Sequence, residues 1–154
     1  MRVMIVLLAF ALAGCGTSSQ VRSDYARAAS DRFTYEVVNT DGMAAESLAT
    51  LKSRIDALLA ERGQRAAETE PDAKKLTIEI TNYYMRHGAT RWLVGIMAGR
   101  DSLRSSVKIT DAAGTVVGHT DIDTFNATAF RGTDGLIEEH AEEIVAFATG
   151  ATKQ

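Results

Sequence analysis

The sequence has few of the residues that mark several common protein classes. It contains one cysteine and one proline, and aromatic residues make up only 6% of its 154 residues. A single cysteine excludes an internal disulfide framework and a zinc site built from several cysteines. With 17 basic and 20 acidic residues the net charge is −3, so the chain lacks the basic excess of a dedicated nucleic-acid-binding domain. No nucleic-acid partner is therefore expected.

The rest of the composition is that of an ordinary globular protein. Hydrophobic residues make up 45% of the chain and charged residues 24%, which is typical of a protein that folds around a core. A chain of this length allows one domain and leaves little room for a second. Because aromatic residues are sparse, we expect that core to consist mainly of aliphatic side chains.

The first fifteen residues have the layout of a bacterial export signal. Arg2 is followed by an uninterrupted apolar run over Val3–Ala13 and then by Gly14 and Cys15. A run of this length is too short for a permanent membrane span, which needs about 20 apolar residues. A positive charge, a short apolar run and small residues at its end predict a secretory signal peptide.

The end of this run resembles the lipobox of bacterial lipoprotein precursors. Its residues are Leu12-Ala13-Gly14-Cys15, and the resemblance implies cleavage before Cys15 and attachment of acyl chains to that residue. The membrane would then be a partner through these chains. Because Gly16 rather than aspartate follows Cys15, the resemblance also implies an outer-membrane location, with the domain facing the periplasm.

The sequence therefore divides into three parts. We predict residues 1–14 as a signal peptide, 15–31 as the lipidated cysteine with a flexible tether, and 32–150 as a single globular domain. The tether prediction rests on small and polar residues without a sustained apolar stripe, which cannot bury enough surface to order themselves. A tether of about 16 residues would reach roughly 20–25 Å.

Hydrophobic periodicity predicts the fold of residues 32–150. Alternating residues predict strands near 33–37 and over 76–84, 103–110 and 115–125, and a helical stripe predicts a helix near 48–62. A second helix is predicted near 136–148, with Thr133 or Asp134 as its N-cap and Gly150 beyond its end. The predicted fold is α+β, a two-layer sandwich of order β-α-β-β-β-α whose mixed sheet contains an antiparallel meander.

The middle of the domain resembles a known family. Residues 91–103 form a glycine-spaced apolar segment around Gly95 and Gly99, and a strand over 107–111 ends in the turn Asp111–Gly114. These features are similar to the bacterial lipoprotein family known as domain of unknown function 4410, over roughly residues 30–150. The element order also resembles the N-terminal domain of TolB. The resemblance implies an envelope lipoprotein and transfers no catalytic residues.

The same segment supplies the candidate contact surface. Connections normally run over the surface and are polar, whereas this one is apolar and flanked by arginines. Either the domain's own core, a partner chain or a membrane must cover it. The candidate contact residues are Arg91, Trp92, Leu93, Ile96, Met97 and Arg100.

Two function hypotheses follow. The first is a lipid-anchored, periplasm-facing module that binds or assembles envelope components, with an envelope protein or a polymer as possible partner and no cofactor, catalytic residue or metal. The alternative is a lipid-anchored metal-dependent enzyme that uses His119, Asp121 and Asp123, which alternation places on one strand face. We favour the first, because phosphate-loop, dinucleotide-binding and hydrolase motifs are absent from the sequence. The oligomeric state stays open.

The distribution of charge allows a structural and a functional explanation. Residues 86–108 carry a net charge of +4, from five basic residues and one acid, and residues 111–143 carry −7, from one basic residue and eight acids. The first explanation is that neighbouring strands pair these charges across the sheet. The second is a basic face directed at an anionic lipid or polymer. We favour pairing across the sheet.

Overall fold

The structure, a computed structural model, describes residues 16–86, 100–126 and 132–150. It contains five strands and two helices in these ranges. The strands are β1 (Gly16–Ser23), β2 (Phe33–Asn39), β3 (Lys74–Tyr84), β4 (Asp101–Thr110) and β5 (Val116–Asn126). The helices are α1 (Ala45–Glu61) and α2 (Thr133–Thr149). None of the helices in the described ranges is long and apolar enough to cross a membrane.

The five strands form one mixed sheet in the order β1-β5-β4-β3-β2. β2 and β3 are parallel, as expected for strands joined by a helix, and the pairs β3–β4, β4–β5 and β5–β1 are antiparallel. The predicted order β-α-β-β-β-α and the predicted meander are therefore confirmed for residues 33–149.

Alternation of apolar and polar residues determines which face of the sheet is buried. Leu76, Ile78 and Ile80 of β3 point inward, and Leu103, Val107 and Ile109 of β4 do the same. α1 and α2 each bury one stripe against this inner face, so that both helices share one core with the sheet. The other face of the sheet carries mostly polar side chains and has no helix over it in the described ranges.

Glycine ends both helices. Gly63 follows α1 with φ of 65° and Gly150 follows α2 with φ of 75°, a left-handed conformation that glycine adopts without a Cβ penalty. Gly150 thus lies where the sequence predicted it. At the start of α2 the N-cap is Gly132, not Thr133 or Asp134, and this part of the prediction was wrong by one or two residues.

The segment predicted as a flexible tether instead contributes an edge strand. Residues 16–23 pair with β5, from Gly16 opposite Phe125 to Ser23 opposite His119. An edge strand can form without an apolar stripe, because ladder hydrogen bonds and side-chain contacts order its backbone. Thr17 donates a hydrogen bond to Glu139 at 2.9 Å, and Ser19 donates one to Glu143. Within the described residues the fold therefore includes 16–31, ahead of the predicted start at residue 32.

Residues 24–32 then cross the end of the sheet, because β1 and β2 lie at its opposite edges. Tyr25 is buried and stacks edge-to-face with Phe33. Its hydroxyl donates a hydrogen bond to Asp31 and accepts one from the Lys74 ammonium at 2.7 Å. Tyr25 also lies so close to Gly118 that a Cβ there would come within 2.8 Å of it. This crossing fixes β1 to the rest of the domain.

Candidate functional site

The open face of the sheet holds a shallow depression of about 460 Å³ between β1, β5 and β4. Ser18, Gln20 and Arg22 border it from β1, and Arg104, Asp121 and Asp123 border it from the other two strands. Alternation places these side chains outward, opposite the helices. This surface therefore offers both positively and negatively charged hydrogen-bonding side chains.

Most of this charge is already paired across neighbouring strands. Arg22 of β1 donates a hydrogen bond to Asp121 at 2.7 Å, and Arg104 of β4 forms an ion pair with Asp123 at 3.0 Å. The hydrogen bond from Arg22 lowers the pKa of Asp121, which keeps that carboxylate ionised. The Arg104–Asp123 pair joins the basic and acidic segments across β4 and β5, as predicted for neighbouring strands. Asp121 instead pairs with Arg22, outside the basic segment, so the predicted pairing is seen at Asp123 and not along both whole segments.

The residues of the metal-enzyme hypothesis share one face, as alternation predicted, but they do not form a cluster. His119 Nε2 lies 3.6 Å from Asp121 and 2.9 Å from the hydroxyl of Ser106. Asp121 pairs with Arg22, and Asp123 pairs with Arg104 and, at 4.0 Å, with Arg100. Across residues 16–86, 100–126 and 132–150, no group of three potential ligands is placed to hold a metal ion. The structure therefore gives no support to this alternative.

A second polar cluster lies inside the core, where sequence reasoning did not place one. His140 stands among glutamates in the sequence, but its side chain is fully buried. The Ser105 hydroxyl lies 2.8 Å from Nε2 and the Thr124 hydroxyl 2.8 Å from Nδ1. A neutral imidazole can donate from one nitrogen and accept at the other, so these hydroxyls satisfy both. Burial lowers the pKa of His140 to about 3.

This burial leads to a pH-dependent stability. In the unfolded chain His140 binds a proton with its ordinary pKa of 6.5, whereas the folded protein keeps it neutral down to about pH 3. The stabilising effect is therefore full above pH 6.5 and is lost as the pH falls. We expect the free energy of unfolding to fall by about 1.4 kcal/mol per pH unit between about pH 6 and pH 4.

Denaturant unfolding at several pH values measures this slope. We expect His140→Gln to remove most of it and His119→Gln, which changes a partly exposed histidine, to retain most of it. If His140→Gln does not fold, the His140 ring resonances in the parent protein can be followed by NMR. A ring that titrates near pH 6.5 in the folded state would contradict the assignment.

A buried ion pair lies at the end of the sheet from which the candidate contact segment departs. Arg86 directly precedes residues 87–99, and Asp101 begins β4. The Arg86 backbone N–H and Nε donate to one Asp101 carboxylate oxygen at 2.8 and 3.1 Å, and Nη2 donates to the Asn126 carbonyl at 3.3 Å. Both charged side chains are almost fully buried. The pair therefore holds together the ends of β3 and β5 and the start of β4.

Only one candidate contact residue lies within the described residues. Arg100 is exposed, and its guanidinium lies 4.3 Å from the centre of the Phe125 ring and 4.0 Å from the Asp123 carboxylate. Cys15, Arg91, Trp92, Leu93, Ile96 and Met97 lie outside the described residues. The predictions for these six residues remain predictions.

Comparison of the chain with known proteins finds a matching family and solved structures of similar fold. A family model described as Domain of unknown function (DUF4410) matches residues 17–129, and its match begins with β1 rather than near residue 30. No curated protein sequence matches the chain. Among solved structures, the PelC L103M dodecamer from Paraburkholderia phytofirmans is similar with a TM-score of 0.62 and 14% identity, over 87% of this chain and 98% of that one.

Two further structures show the same likeness. Another PelC dodecamer from Paraburkholderia phytofirmans has a TM-score of 0.61 and 13% identity, over 90% of this chain and all of that one. A PDZ domain protein from Parabacteroides distasonis has a TM-score of 0.50 and 12% identity, over 91% of this chain and 36% of that one. At these identities the similarity concerns the fold alone.

Proposed function

This chain belongs to the family described as Domain of unknown function (DUF4410), and from that premise we propose that it is a lipid-anchored, periplasm-facing lipoprotein of the outer membrane. Its domain acts as a binding or assembly module rather than as an enzyme. The observation that carries the proposal is the lipobox Leu12-Ala13-Gly14-Cys15 at the end of a short apolar run. Two or three acyl chains on Cys15 would make the anchoring effectively permanent.

The polar groups of the described residues support a non-catalytic module. A catalytic site needs a nucleophile, base or metal ligand that substrate can reach. Here the histidine with the strongly lowered pKa is enclosed by Ser105 and Thr124, and the carboxylates Asp121 and Asp123 are engaged by arginines. The face that remains accessible is broad and shallow, which suits a macromolecular partner better than a small substrate.

Further copies of the same chain are part of this proposal. Two structures that share the fold are dodecamers, and a chain held on a membrane surface meets its own copies at high local concentration. We expect detergent-extracted protein to have the mass of a multimer by light scattering. A strictly monomeric particle at micromolar concentration would contradict self-assembly, leaving binding to other envelope components as the module's role.

Replacement of the anchoring residue tests the location. In Cys15→Ser the hydroxyl cannot take the thioether-linked lipid, so we expect the protein to leave the membrane fraction or to retain its signal segment. Ser18→Ala, a small change three residues later in β1, is the matched control and should fractionate like the parent. Unchanged membrane association of Cys15→Ser would contradict lipid anchoring at this position.

A further inference from the structure

The first strand begins one residue after the proposed lipid attachment site. Gly16 is the first residue of β1 and lies opposite Phe125 of β5, and Cys15 precedes it directly. One residue of extended chain spans at most about 3.6 Å. A lipid on Cys15 therefore places the start of β1 within a few ångströms of the membrane surface, whereas a free tether would have allowed roughly 20–25 Å.

β1 cannot move independently of the domain, because it is tied to the domain at several points. Besides the ladder to β5, Thr17 and Ser19 donate hydrogen bonds to the α2 residues Glu139 and Glu143. Arg22 holds Asp121 near the far end of the strand. The anchor therefore keeps the start of β1, and with it this end of the domain, close to the membrane.

Four strand ends meet at the level of Gly16, and we call this level the Gly16 end of the sheet. Tyr84 lies opposite Ser102, Ser102 opposite Phe125, and Phe125 opposite Gly16. On its open face this row carries the exposed ring of Tyr84 and the ring of Phe125 with Arg100 over it. Tyrosine rings and arginine side chains are among those that proteins place at the membrane–water interface.

The segments that leave the sheet at this end have a matching composition. Residues 87–99 connect β3 to β4, and residues 127–131 follow β5. Together they contain two arginines, six large apolar residues and no acidic residue. Apolar residues with arginines and without acids favour contact with anionic lipid headgroups. The buried pair Arg86–Asp101 fixes the described ends from which these segments depart.

We propose that the Gly16 end of the sheet lies against the membrane to which Cys15 is anchored, with Arg100 directed at anionic lipid headgroups. The inference rests on the proposed lipid anchoring and adds an orientation to it. The strands then stand upright on the membrane. Val116 at the start of β5 lies about 30 Å along the strand from Phe125, far from the lipid, and the open face of the sheet stays accessible from the side.

Single reporter cysteines test this orientation in the full acylated protein. Cys15 is the only cysteine, and its sulfur is consumed by the lipid, so one added cysteine can be labelled alone. Tyr84→Cys and Val116→Cys form a matched pair, because the two residues are 50% and 51% exposed in the described structure. A fluorophore on either one is measured in phosphatidylethanolamine–phosphatidylglycerol vesicles that contain headgroup-spin-labelled lipid.

We expect several-fold stronger lipid quenching at position 84 than at position 116. Equal quenching, or stronger quenching at 116, would overturn the orientation while leaving the anchoring intact. A fluorophore at position 84 that is shielded from solvent but not quenched by the spin-labelled lipid would also overturn the orientation. In that case a second copy or another protein would cover this end of the sheet. Protein that does not float with the vesicles would instead overturn the proposed lipid anchoring.

A charge reversal tests the part played by the headgroups. We expect Arg100→Glu to reduce quenching at position 84 on the anionic vesicles and to have little effect on vesicles of phosphatidylcholine alone. Lys108→Glu makes the same charge change further along β4, opposite His119, and should leave the quenching unchanged. Equal effects of the two variants would contradict a specific contact of Arg100 with anionic lipid.

Discussion

Leu51→Asp and Ile144→Asp should each unfold the domain. Leu51 of α1 and Ile144 of α2 are fully buried in the single core beneath the sheet. An aspartate at either position places an unpaired charge where a well-packed aliphatic side chain was. Substitutions of this kind belong to the rare class that costs more than about 4–5 kcal/mol, and a domain of this size is stable by only about 5–15 kcal/mol in total.

Circular dichroism and thermal melting measure this effect. Ala57→Asp is the matched control, because it introduces the same charge into α1 at an exposed position. We expect the control to melt within a few degrees of the parent and the two core variants to show no cooperative transition. A core variant that melts like the control would mean that the helix faces are assigned wrongly.

Asp101→Ala should cost about 3–5 kcal/mol, because it leaves the buried Arg86 guanidinium without its counter-charge. The two side chains are 3% and 1% exposed, so solvent cannot replace the missing carboxylate. The Asn126 carbonyl would remain as an acceptor at 3.3 Å, but it carries no full charge. Chemical denaturation of the variant and the parent gives the difference in the free energy of unfolding.

A double substitution shows how much of the lost stability comes from leaving one buried charge without its partner. Replacing both partners by apolar residues of similar volume, as in Arg86→Met with Asp101→Leu, should recover most of the lost stability. The exposed pair Arg22–Asp121 is the control, and Asp121→Ala should cost no more than about 1 kcal/mol. An Asp101→Ala variant as stable as Asp121→Ala would show that the Arg86–Asp101 pair is not buried in solution.

The parts of the fold that sequence predicted well are those that local pattern determines. Alternation in Leu76-Thr77-Ile78-Glu79-Ile80 identifies a strand and its inner face, and Gly63 and Gly150 end the helices by backbone conformation alone. These sequence signals lie within a few residues of the strand or helix end that they determine. The order of elements followed from them, and with it the α+β sheet.

The parts that sequence missed depend on residues far apart in the chain. In the sequence β1 resembles a polar tether, because its order comes from β5, about 100 residues away, and from Glu139 and Glu143, more than 120 residues away. In the sequence His140 resembles part of an acidic helix face, and only the structure shows that Ser105 and Thr124 pack against it. In the sequence Asp101 resembles a surface residue, and only the structure shows that it pairs with Arg86 inside the protein. In each case the deciding partner is distant in sequence, and periodicity carries no information about it.

The mass of intact protein extracted from membranes tests the proposed lipid anchoring most directly. We expect a chain that begins at Cys15 and carries the added mass of a diacylglyceryl group, usually with a further acyl chain on its amino group. Fragmentation should place that mass on Cys15 next to Gly16. A mature chain with an unmodified Cys15, or one cleaved at another residue, would contradict both the lipoprotein assignment and the upright orientation derived from it.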